Sequence, residues 1–270
     1  MDQDDHKNEA YRLYWKEVWA FRELMYTLTW RDLKVRYKQT LIGVSWGVLR
    51  PLITTLIFAL VFSCITRFPN PSSAPYLLMV FTGMLPWQFF ANTLNDLSQS
   101  ITGNANLIGK IYFPRIVIPF ASVITNLADY GISMLILLVM MICYHQVPGW
   151  HVIFLPFFIL MLIACALGIG LYVAVLNVKY RDFKFIIPFV IQIGLFITPV
   201  AFSSTNVPQQ WRLLYAFNPL AGIISGMRWC LLGDTLYWPE VWISAAVIIL
   251  MLYAGTRYFR KTEATFVDNL

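Results

Sequence analysis

Charge is what this chain has least of. Only 13% of its 270 residues are Asp, Glu, Lys or Arg, while 59% are hydrophobic. A water-soluble domain normally carries about 25% charged residues. The polar surface is too small to cover a globule of this size, so an integral membrane protein is the class that fits. A nucleic-acid-binding protein is excluded despite the net charge of +6. Histidine is scarce, with three residues, and the four cysteines (Cys64, Cys143, Cys165, Cys230) lie in apolar stretches without a C-x-x-C pair. No histidine stands at metal-ligand spacing from them, so they read as small buried hydrophobes. The opening "MDQDDHKNEA" is acidic and polar, unlike a cleavable signal peptide.

Reactive constellations are also missing. The acids near or inside apolar segments are Asp96 and Asp129, neither with a histidine in register. That speaks against a membrane-embedded transferase, which needs clustered acids or histidines at one membrane face. Asp129, with Asn126 one turn before it, is expected to make an interhelical polar contact. "GNANLIGKI" at 103–111 imitates a phosphate-binding loop. Its glycine spacing is wrong, and Ile111 stands where a hydroxyl would hold magnesium. The chain is expected to bind no nucleotide, metal or other cofactor itself.

What is abundant is apolar sequence in windows nearly free of charge. A spanning helix needs about 20 such residues. Six segments qualify, at about 45–66, 76–97, 116–144, 152–177, 185–204 and 238–257. The expected fold is an all-α integral membrane protein with a six-span domain over 41–260, a polar N-terminal segment over 1–40 and a tail over 261–270. Six spans put both termini on one side. Seventeen of the twenty Lys and Arg fall in the N-terminal segment, the loop 98–115, the loop after span four and the tail. The excess of positive charge places both termini in the cytoplasm.

Two segments fall outside this pattern. "YRLYWKEVWAFRELMYTLTW" has apolar residues at helical spacing but is too charged to span. It reads as an amphipathic helix in the cytoplasmic interface, or as a helix packed on a partner domain. The stretch 205–235 is apolar yet interrupted by Pro208, Pro219 and Gly222. It reads as two short helices, about 208–217 and 219–232, dipping back into the outer leaflet. Asn218 would cap the second, with Pro219 in its first turn. Asn218, Pro219 and Met227 are candidates for an external gate, and packing alone is the competing reading.

Aromatic residues make up 16% of the chain. The C–H faces of sugar rings stack on such side chains while still allowing a polymer to slide. Trp46, Phe58 and Phe62 on span one and Phe189, Phe196 and Phe202 on span five are candidate channel-lining residues. Interface belts and core packing use the same residues.

Several segments together carry a resemblance. "RDLKVRYKQTLIGVSWGVLRPL" at 31–52, "NANLIGKIYFPRIVIPF" at 104–120, "VKYRDFKFIIPFVIQIGLFITPVAF" at 178–202, "NPLAGIISGMRW" at 218–229 and "FRKTEATFVDNL" at 259–270 resemble, in order, the ABC-2 type polysaccharide exporter permeases of bacteria. The resemblance covers nearly the whole chain. It implies a plasma-membrane homodimer that moves lipid-linked polysaccharide such as O-antigen, driven by two copies of a separate ATPase holding ATP and magnesium. It also implies that Asn106, Leu107, Lys110, Tyr112, Phe113, Pro114 and Arg115 in the 98–115 loop couple to that ATPase. Arg31, Asp32, Lys34, Arg36 and Tyr37 would form the cytoplasmic junction with span one. Rival readings are an exporter of a small molecule or lipid, a membrane transferase and a passive channel.

Overall fold

The computed structural model describes residues 13–38, 44–65, 75–204 and 208–266. Among them are α-helices and short 3-10 turns, with no strand. A helix over 13–20, α1, breaks at Phe21 and continues as α2 (Arg22–Lys38). Then follow α3 (Val44–Ile65), α4 (Tyr76–Gly103), the one-turn α5 (Ala105–Ile108), α6 (Val117–Cys143), α7 (Leu155–Lys179), α8 (Phe183–Ile197), α9 (Gln209–Tyr215), α10 (Pro219–Leu232) and α11 (Trp238–Thr262).

Four helical stretches among the described residues are long and apolar enough to cross a bilayer: Tyr76–Gly103, Val117–Cys143, Trp150–Lys179 and Trp238–Thr262. The apolar part of α3 (Pro51–Val61), α8 and α10 are shorter. At about 1.5 Å per residue, α8 is too short to cross about 30 Å of hydrocarbon by itself.

The centre of the bundle is α4. Leu78, Val80, Phe81, Leu94 and Leu97 are buried on several sides of it, against α6, α7 and α10. Lipid tails are as apolar as these side chains, so close packing rather than water exclusion holds such helices together. Glycine supplies that closeness where α7 meets α11. A Cβ on Gly255 would fall onto the carbonyl oxygen of Gly168, and one on Gly168 would lie 2.7 Å from the Leu252 nitrogen. Asn177 Nδ2 ties α7 to α4 by donating to the Ser98 carbonyl at 2.7 Å.

The helix expected in the cytoplasmic interface packs, along α2, on α6. Thr29 Oγ1 donates to the Ala121 carbonyl at 3.4 Å, and Arg36 reaches Asn126 and Asp129. The sequence offset between partners stays close to 92, so α2 runs parallel to α6 and alongside it. Its other side leaves Tyr26 and Trp30 exposed.

Candidate functional site

The polar residues of the bundle converge where α2 ends. Arg36 donates through Nη2 to Asp96 Oδ2 at 3.0 Å, and through Nη1 to Asn126 Oδ1 at 3.2 Å and to Asp129. Asn126 Nδ2 donates to Asp96 at 2.8 Å, and the Tyr37 hydroxyl donates to Asp129. Asp129 thus makes an interhelical contact, with partners from α2. Burial disfavours the charged guanidinium, and the Asp129 and Asp96 carboxylates outweigh it, holding the Arg36 pKa above its ordinary value. Burial and the bond to Asp129 push the Tyr37 phenol up. One cation therefore faces two carboxylates. Arg31 bonds instead to Asp32 and, at 3.1 Å, to Asn104 Oδ1, while Lys34 is exposed.

At the same end of the bundle, the loop after α4 is rooted in a second apolar cluster. Phe113, Ile116, Ile108, Leu28, Phe259 and Phe266 are buried together there. Arg115 donates from its main-chain nitrogen to the Glu263 carboxylate and from its guanidinium to the Glu263 main-chain carbonyl, and the same carboxylate accepts from the Tyr14 hydroxyl at 2.8 Å. The Tyr14 pKa is raised by burial and by Glu263, and Arg260 lies 4.3 Å from its ring centre. Phe113 was expected to offer apolar bulk for insertion into a partner. It is 4% exposed, because it packs in one cluster with Phe259 and Phe266, and Pro114 beside it is buried too. The residues that project are Tyr112, 84% exposed, and Ile111, with Lys110 and Asn106 also exposed and Leu107 half-buried. The glycines at 103 and 109 flank one turn of helix after a long helix, which is not the setting of a phosphate loop.

The aromatic candidates divide. Phe189 and Phe196, seven residues apart on α8, are both more than half exposed and share one open face. Phe58 is half-buried against the core. Phe202 is half-buried, with its ring 6.3 Å from that of Tyr215. The side chains of Trp46 and Phe62 lie outside the described residues.

At the opposite end, Asn218 caps α10 by accepting from the Leu220 nitrogen at 3.1 Å, and Pro219 occupies the first turn. Asn218 Nδ2 also reaches Thr198 Oγ1 at 3.2 Å. Met227 is buried in the core, its sulfur accepting from the Tyr130 hydroxyl at 3.5 Å.

With this geometry in view, residues 23–232 match the ABC-2 type transporter family. The chain belongs to that family. The O-antigen export system permease protein RfbA of Myxococcus xanthus is 28% identical over 258 residues, covering 94% of this chain and 98% of the relative. The protein of the same name from Klebsiella pneumoniae is 27% identical over 249 residues, covering 92% and 95%. The polysialic acid transport protein KpsM of Escherichia coli is 22% identical over 244 residues, covering 88% and 93%.

One important residue of this ABC-2 membrane domain escaped sequence reasoning. Arg228 counts by position among the charges of an outer segment, yet it is 2% exposed. It donates to the main-chain carbonyls of Val200 at 2.6 Å, Phe202 at 2.8 Å and Met79 at 3.3 Å. Helix α8 ends at Ile197, and the turn after it has carbonyls without helical partners. Irregular backbone inside an apolar bundle needs such donors. The available signal was a lone arginine within an apolar, Gly-containing helix.

Proposed function

We propose that this chain is the permease subunit of an ATP-driven exporter that moves lipid-linked polysaccharide, O-antigen-like in character, across the bacterial plasma membrane. The observation that carries this reading is its family together with near full-length similarity to permeases named for O-antigen export and polysialic acid transport. The protein works as a homodimer with two copies of a separate ATPase, which hold the ATP and magnesium. Six spans, both termini in the cytoplasm and α9–α10 folded back into the outer leaflet complete the arrangement, supported by the distribution of Lys and Arg.

The 98–115 loop couples the two proteins. An exposed tip at Ile111–Tyr112, rooted by buried Phe113 and clamped through Arg115 to Glu263, transmits a rigid displacement. A loosely held loop would absorb it. The exposed face of α8 with Phe189 and Phe196 suits a lining shared between two subunits, where a sugar chain slides over apolar rings.

Co-purification tests this. The chain, expressed with the ATPase encoded beside it, is expected to retain that ATPase in detergent. Tyr112→Ala with Ile111→Ser is expected to lose the ATPase or to uncouple its turnover from substrate. Absence of any associated ATPase for wild type contradicts the reading.

A further inference from the structure

Helix α4 carries a polar stripe through an apolar bundle. Gln88, Asn92, Asn95 and Asp96 recur at steps of four, three and one, which places them on one helical face. They are half-buried, while Phe89, Phe90, Leu94 and Leu97 around the rest of the helix are buried in the core. The side-chain amides of Gln88, Asn92 and Asn95 make no hydrogen bond to any described residue. A fully buried amide without a partner would be costly; these three are only half-buried and open on a cavity instead.

What they face is a cavity of about 470 Å³ bounded by α2, α3, α4, α6 and α8. That volume falls within the roughly 300–1,000 Å³ typical of small-molecule sites. Trp87 and Tyr130, each 5% exposed, present only a ring edge to its wall, and Gln88 stands at the middle of α4. Its floor is the cluster of Asp96 and Asp129 clamped by Arg36. Below that floor a second cavity of about 430 Å³ continues along α4 past Gln99 to Asn104, sharing Arg36 and Asp96 with the first.

The chemistry of the wall selects its occupant. Among the described residues of the wall, two carboxylates stand against one guanidinium, an excess of negative charge that disfavours phosphate and other anions. Amides offer both donors and acceptors, and carboxylates accept from hydroxyls. Aromatic ring edges offer apolar contact to the C–H face of a pyranose. We infer that this cavity within a single subunit is a binding subsite for one uncharged sugar unit, with Gln88, Asn92 and Asn95 as its hydrogen-bonding residues. The inference rests on the polysaccharide reading above and adds a specific site and the charge class it accepts.

Cysteine protection tests it. Asn92→Cys, and separately Gln88→Cys, are introduced into a chain whose four native cysteines are replaced, and each is expressed with its ATPase in the native host. Alkylation by N-ethylmaleimide is timed in membranes from cells that make the polymer and from cells lacking the first sugar transfer of its synthesis. The expected result is labelling at least threefold slower where polymer is present, at both positions. Val147→Cys, 83% exposed in the loop after α6, should label equally in both strains. Equal rates at both 88 and 92, fast or slow, in a strain that exports polymer overturn the subsite and leave the exporter reading standing. Normal surface polymer in cells deleted for this chain overturns the exporter reading and the subsite with it.

Discussion

At the residue scale, two arginines hold this protein's polar interior together in different ways. Arg36 answers two carboxylates at the edge of a cavity, and Arg228 answers three carbonyls inside the core. The Arg36 side chain is about one-third exposed, at 34%. Solvent screening therefore keeps its contribution below the roughly 3–5 kcal/mol of a fully buried pair. A double-mutant cycle of Arg36→Ala with Asp129→Asn should give a coupling of about 1–2 kcal/mol in detergent unfolding. Arg36→Lys should restore only part of it, because an ammonium cannot fork between Asp96 and Asp129. Arg228→Met should be far more damaging. It strands the carbonyls of Val200 and Phe202, which lie beyond the end of α8, each at about 1–3 kcal/mol, and the expected outcome is loss of the monodisperse peak in size-exclusion chromatography. Neither arrangement was visible in the sequence. Arg36 stands 60 residues from Asp96 and 93 from Asp129, and a one-dimensional window cannot pair them. Arg228 looked like an outer-surface charge because sidedness rules count arginines without asking what surrounds them.

At the element scale, legibility followed locality. The start of α10 could be read from Asn218–Pro219, because a cap and a first-turn proline act within four residues. The long apolar helices could be read from windows nearly free of charge. What could not be read was which helix the amphipathic segment packs on: α2 follows α6 because Thr29, Arg36 and Tyr37 find partners there, and those partners belong to another helix. Phe113 misled for the same reason. An aromatic in a basic loop looks like a projecting knob until Phe259 and Phe266, far along the chain, are seen to cover it. Helix packing yields its own test. Gly255→Ala places a methyl group against the Gly168 carbonyl and should force α11 from α7. Overpacking of this kind costs about 1–3 kcal/mol, and thermal unfolding of the purified protein should shift downward accordingly.

At the scale of the whole molecule, the basic end is a single mechanical unit. Tyr14 of α1, Arg115 of the loop and Glu263 after α11 share hydrogen bonds, and Phe113, Phe259 and Phe266 pack beneath them. Under the proposed coupling role, a push on the Ile111–Tyr112 tip would be delivered to α6 and α11 together. Glu263→Gln should weaken this clamp without touching the tip. The partner ATPase is then expected to bind as before, while its substrate stimulation falls, measured as ATPase rate with and without polymer acceptor in reconstituted vesicles. Loss of binding instead would mean that Glu263 lies in the contact itself.

The most direct test of the central claim is where the polysaccharide goes. In a strain deleted for this chain, fractionation should find the polymer accumulated on the cytoplasmic side and absent from the surface. Wild type should return it to the surface, and Tyr112→Ala with Ile111→Ser should not, at equal membrane abundance. Surface polymer that is undiminished by the deletion would contradict the account.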